Sequence, residues 1–169
     1  MKRKTDSMKV GRWKLPVTCT LLMVGALMAS CKSNITISMT DTNPPTFRFQ
    51  RHFFSEVNSF PLFIVEEIHP DNENVGYLEQ KYDKNKTVWK IVPDINAPNA
   101  GQVDKLPPIT YGKVPSGFIQ ETPKVGSPPS LETGRLYEAS GAYALMPDAV
   151  IRFKVEGDKV TRVAIPGQY

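Results

Sequence analysis

The residues able to do chemistry in this chain are few. Its two histidines, His52 and His69, each stand at the end of an apolar run beside a polar stretch. A zinc site draws three or four nitrogen, sulfur or oxygen ligands from recognisable spacings, and the sequence has no HxH, HxxxH or CxxC. The histidines therefore read as solvent-facing turn residues, and no metal or other cofactor is expected. Asp71-Asn72-Glu73-Asn74-Val75-Gly76 opens like a calcium loop with glycine in sixth place. Val75 at the fifth position and Tyr82 at the twelfth remove a ligand and the bidentate carboxylate, which leaves weak calcium binding at most. Glu66 and Glu67 are adjacent, so on a strand their carboxylates point to opposite faces and cannot share a proton-transfer task. Ser116, in Val114-Pro115-Ser116-Gly117, lacks the glycine two places before it that a nucleophile elbow requires, and no base is paired with it by pattern. Tyr77, Tyr82 and Tyr111 are candidates for an exposed binding face, although strand tyrosines more often pack half-buried at a sheet rim.

Charge narrows the function further. The chain of 169 residues carries a formal net charge of +4, but six basic residues and one acidic residue fall within residues 1–30. The remaining 139 residues hold 15 basic and 16 acidic side chains, a net of −1. Without a basic helix or a block of like charge there is no footprint for phosphate neutralisation, so nucleic acid is excluded as a partner.

The basic segment has the order of a secretory signal: a positively charged start, then the uncharged run LPVTCTLLMVGALMAS over residues 15–30. That run is shorter than the roughly 20 residues needed to span a bilayer as a helix. Leu27-Met28-Ala29-Ser30-Cys31 resembles a bacterial lipobox, with Met28 where leucine is commonest. The resemblance implies cleavage between Ser30 and Cys31, diacylation of the Cys31 sulfur, commonly with palmitate-like chains, and often acylation of the new amine. A membrane is then a partner through the lipid anchor, because two or more acyl chains hold stably where one is marginal. By the same resemblance, Lys32 rather than Asp after the cysteine favours the outer membrane, facing the periplasm. The other readings of this segment are a plain signal peptide cut near Ser30 and an uncleaved anchor, with Cys31 incidental.

Cys19 lies in the apolar run, so a processed chain keeps only Cys31 and forms no internal disulfide. Packing alone must hold the domain, and a chain of this size buries roughly two thirds of its unfolded surface without covalent staples. The organisation expected is a lipoprotein signal peptide over residues 1–30, the lipidated cysteine and a flexible tether over 31–44 ending at Pro44-Pro45, and a β domain over 45–169. Short β-branched and aromatic runs bounded by Pro, Gly, Asn or Asp make that domain all-β. The runs are 46–51, 62–68, 87–92, 109–114, 117–121, 135–145, 149–155 and 160–165, with a further short one at 75–78 inside a long polar excursion. Trp89 and Ile91 are set inward, because the opposite choice points Lys90 into the core.

Leu131-Glu132-Thr133-Gly134-Arg135-Leu136-Tyr137 resembles the corner between strands E and F of fibronectin type III and related immunoglobulin-like sandwiches. There a Leu and a Tyr six residues apart flank a tight turn, and the Tyr hydroxyl bonds back to upstream backbone. The resemblance implies an antiparallel β-sandwich with Leu131, Gly134 and Tyr137 as its signature, Tyr137 opening strand F, Ala149–Val155 as strand G and Trp89 on strand C. Residues 106–131 are also similar to segments of small bacterial lipoproteins with no assigned activity. The expectation is a non-enzymatic binding or accessory module of the cell envelope with a protein or glycan partner. The alternative is a carbohydrate-active or metal-dependent periplasmic domain using Asp71–Asn74.

Overall fold

The computed structural model describes residues 35–51, 61–76, 79–98, 101–143 and 146–167. The segment read as a signal peptide, with Ser30, Cys31, His52 and Tyr77, lies outside the described residues. Nine strands are present among them: β1 (Ile35–Met39), β2 (Thr46–Arg51), β3 (Leu62–Glu67), β4 (Lys86–Pro93), β5 (Ile109–Thr110), β6 (Phe118–Thr122), β7 (Leu136–Tyr143), β8 (Met146–Glu156) and β9 (Lys159–Val163). They form two antiparallel sheets, a three-stranded one in the order β1-β2-β5 and a six-stranded one in the order β6-β4-β3-β7-β8-β9. With β1 as strand A, these orders contain the A-B-E and C′-C-F-G arrangement of immunoglobulin-like sandwiches, with β6 and β9 added at the edges.

Aromatic rings join the two sheets. Phe47 of β2 packs against Phe63 of β3 and Phe153 of β8, with ring centroids 5.2 and 5.9 Å apart. Phe63 meets Trp89 edge-on at 5.8 Å, and Trp89 meets Tyr111 in the same way at 5.4 Å. Ile35, Ile37, Val65, Ile91, Ile151 and Val155 complete the surrounding apolar interior. Removing this area from water is the main source of stability in a domain without disulfides.

Two expectations need correction. The segment read as tether contains β1, which pairs with β2 from Ile35↔Arg51 to Met39↔Phe47. Ile35 and Ile37 face the core while Thr36 and Ser38 face solvent, a period of two that small polar residues and Pro44-Pro45 disguised as linker. Beyond β1 the chain crosses to the other sheet, where Asn43 N–H donates to Asp158 O (2.9 Å) and Val160 N–H to Asp41 O (2.8 Å). The missed strand also shifts the lettering, so that Trp89 on β4 occupies the C′ position and β3 is strand C. The second correction concerns short runs. Residues 109–114 form only the two-residue β5, because the chain turns at Tyr111 and Gly112, and Val75-Gly76 is turn and coil rather than strand.

The registers sort the connections into two ends. The start of β1, the end of β2, the start of β3, the end of β4, the start of β6 and the β7–β8 hairpin share one end. The contact of Phe49 with Phe63, 5.6 Å between centroids, aligns the two sheets there. The Ile68–Asn85 excursion, the Leu131–Arg135 corner and the β8–β9 turn occupy the opposite end.

Candidate functional site

The corner is built from three residues. Glu132 N–H donates to the Tyr137 hydroxyl at 3.0 Å, Leu131 and Tyr137 are buried, and Tyr137 stacks on Phe153 at 5.8 Å. Gly134 holds φ at +85°, where a side chain is strained, and its N–H donates to Val155 O at 2.8 Å. Burial pushes the Tyr137 hydroxyl above its ordinary pKa. The corner fixes where β7 begins, and β7 carries the polar centre of the molecule.

That centre is a row across the outer face of the larger sheet. Glu66 of β3 stands opposite Glu138 of β7, and Glu138 stands opposite Arg152 of β8. A bulge makes Val88 an extra residue in β4, so Thr87 lies opposite Glu66 and donates its hydroxyl to Glu66 Oε1 at 3.0 Å. Arg152 is fully buried, and its Nη2 and Nε donate to Glu138 Oε2 at 3.0 and 3.3 Å. Its Nη1 donates to the carbonyls of Glu73 and Val75 at 3.1 and 3.4 Å. A buried guanidinium is tolerated only with a charge partner and hydrogen-bonded donors, and this one has the partner and four hydrogen bonds.

The excursion answers with amides. Gln80 Nε2 donates to Glu138 Oε2 (2.9 Å), Asn85 Nδ2 to Gln80 Oε1 (2.8 Å) and Asn72 Nδ2 to Asn85 Oδ1 (2.7 Å). Asn72 also bonds the Lys81 carbonyl and N–H, while His69 N–H donates to Asn85 Oδ1. A chain of side-chain hydrogen bonds thus ties the loop to the sheet. Where the loop meets the C-terminal segment, a Cβ on Gly76 would lie 2.9 Å from Pro166 O, so glycine alone fits without a shift.

Burial lifts Glu66 above the ordinary carboxylate range; the Thr87 hydrogen bond opposes this and Glu138 adds to it. Burial also pushes Glu138 up, against the hydrogen bonds from Gln80 and Arg152. Two cross-strand carboxylates both raised by burial form an arrangement found at functional sites and in structural networks alike.

The residues singled out from sequence are placed as follows. Asp71 forms an exposed ion pair with Lys84 that holds its carboxyl below the usual range, and Asn72 is buried with its amide engaged inside the fold. The His69 ring Nδ1 accepts from Asp71 N–H. Glu67 lies near Arg135, at 3.5 Å. Tyr111 is not an exposed aromatic: it is buried and donates its hydroxyl to Pro129 O at 2.8 Å. Among the described residues no group of three or more His, Cys, Asp or Glu is placed to hold a metal. Sequence reading missed Glu138, Arg152, Gln80 and Asn85; the available signal was that Glu138 follows an aromatic (Tyr137) and Arg152 precedes one (Phe153) within a strand run.

Comparison with known proteins finds no matching family, no matching curated protein and no matching solved structure. No described helix is long and apolar enough to cross a membrane.

Proposed function

We propose that this protein is a lipid-anchored accessory module of the bacterial cell envelope, held through acylated Cys31 on the outer membrane and facing the periplasm. It works by binding an envelope protein or glycan rather than by turnover. The observation that carries this reading is the Leu27–Cys31 motif, followed after three residues by the first strand of a sandwich. The buried charges support it, since Glu138 and Arg152 are spent on each other and on the excursion. Partner contact falls to the loops at the end opposite Ile35, where the excursion and the corner lie.

Photo-crosslinkers at exposed positions Glu132 and Asp158 in intact cells test this, with a discrete envelope adduct expected. A carbohydrate-active role is the second reading, favoured by the opposition of Glu66 and Glu138. Its site is then Glu66 rather than Asp71–Asn74, whose Asn72 is committed to the fold. Glycan hydrolysis abolished by Glu66→Gln would replace the binding reading with that one.

A further inference from the structure

We infer that the end of the sandwich opposite Ile35 carries a socket for one aromatic side chain, tyrosine or tryptophan, of a partner protein. The inference rests on the binding reading above and narrows it to a protein partner and to one cleft.

Three separate stretches of chain meet there: Asn43-Pro44 on the crossing from β1, Tyr111-Gly112 after β5, and Ser127–Leu131 leading into the corner. Between them lies a cleft of about 350 Å³, within the range of roughly 300–1,000 Å³ usual for ligand sites. Hydrogen bonds hold its walls. Asn43 is fixed twice to the β8–β9 turn, its N–H donating to Asp158 O at 2.9 Å and its Nδ2 to Gly157 O at 3.0 Å. Tyr111 N–H donates to Pro45 O at 3.0 Å and its hydroxyl to Pro129 O at 2.8 Å, which ties the first and third stretches to the second. Behind the cleft, Tyr111 rests edge-on against Trp89. Pro44, Pro128 and Pro129 have φ set by their own rings. A cleft braced in this way is formed before anything binds, so filling it orders little chain that was free.

The lining selects the occupant. None of its residues is charged, so no carboxylate answers an arginine or lysine and no cation answers a phosphate or carboxylate. The side chains most concentrated at the centres of protein interfaces are Trp, Tyr and Arg, and an uncharged cleft keeps the first two. Proline rings pack on aromatic faces, as they do in proline-rich recognition. A buried Tyr or Trp also needs an acceptor for its O–H or N–H. Asn43 Oδ1 accepts no hydrogen bond among the described residues, and the exposed Ser127 and Ser130 hydroxyls line the same cleft. A sugar fits less well, since stacking needs an open aromatic face and the one aromatic of the lining, Tyr111, is buried with its hydroxyl engaged.

The test uses the full chain with N-acetyltryptophanamide and N-acetyltyrosinamide as probes, observed by saturation-transfer NMR, and N-acetylargininamide and methyl glucoside for comparison. The expected result is transfer to the ring protons of both aromatic probes and none to the other two. Asn43→Ala, which removes the acceptor, and Pro128→Ala, which removes a wall, should each weaken aromatic binding about fivefold or more at unchanged melting temperature. Ring transfer that either variant leaves unchanged, transfer to methyl glucoside instead, or no transfer from the wild-type chain would overturn the inference. A protein adduct from Glu132 or Asp158 in cells, without ring transfer, overturns the socket and leaves the binding reading standing. No adduct and no transfer overturns both.

Discussion

Arg152 and Glu138 face each other across β8 and β7, both almost wholly buried, with Arg152 Nη2 3.0 Å from Glu138 Oε2. The pair is the centre of a network that fastens an eighteen-residue excursion, Ile68–Asn85, onto the sheet.

Removing one partner leaves the other charge buried and alone, which typically costs about 3–5 kcal/mol. Arg152→Met should therefore destabilise the domain by that order, and Glu138→Leu similarly. The double variant should recover much of the loss, because apolar residues of similar volume replace a buried pair well. Urea denaturation of all three variants gives the coupling directly. Arg152→Met also strips the donors from the Glu73 and Val75 carbonyls, so hydrogen exchange should rise across residues 69–85 before it rises in β7.

Glu66 sets a pH dependence of defined sign. Burial raises its folded pKa, so the native chain takes up a proton more readily than the unfolded chain. Its contribution to stability is fully present below the ordinary carboxylate pKa and is lost as pH rises through the elevated folded value. Glu66→Gln, which keeps an acceptor for the Thr87 hydroxyl, should raise the thermal midpoint at neutral pH and flatten the dependence across that interval. Thermal melts from acid to neutral pH would show it.

At the corner, Tyr137→Phe removes the acceptor for Glu132 N–H and should cost about 1–2 kcal/mol. Gly134→Ala should cost about 1 kcal/mol from backbone conformation alone, since no atom lies within 4 Å of the added Cβ. Denaturant midpoints with unchanged m-values would establish both effects as stability changes in an intact fold.

What sequence revealed followed the chemistry of each segment. Runs such as Thr46–Arg51 alternate, Thr87–Val92 does so apart from the bulge at Val88, and turn residues bound them, so the all-β sandwich was legible. Strand β1 was not, because Thr36 and Ser38 resemble linker, and the bridge that follows it, from Thr42 to Lys159, joins residues more than a hundred positions apart. The Glu66–Glu138–Arg152 row was hidden for a related reason. Each charge belongs to a different run, and only strand order brings three such runs side by side. Within the excursion, Asn72 resembled a calcium ligand in isolation and proved to be a structural amide once Lys81 and Asn85 stood beside it.

Attachment through Cys31 is tested by the intact mass and membrane partition of the mature protein, in wild type and Cys31→Ser. The expected result is a chain beginning at Cys31 with two or three acyl groups, found in the membrane fraction, and a variant that lacks the added mass and the membrane association. A wild-type chain carrying no acyl group, or a Cys31→Ser chain that partitions with membranes like wild type, would contradict it.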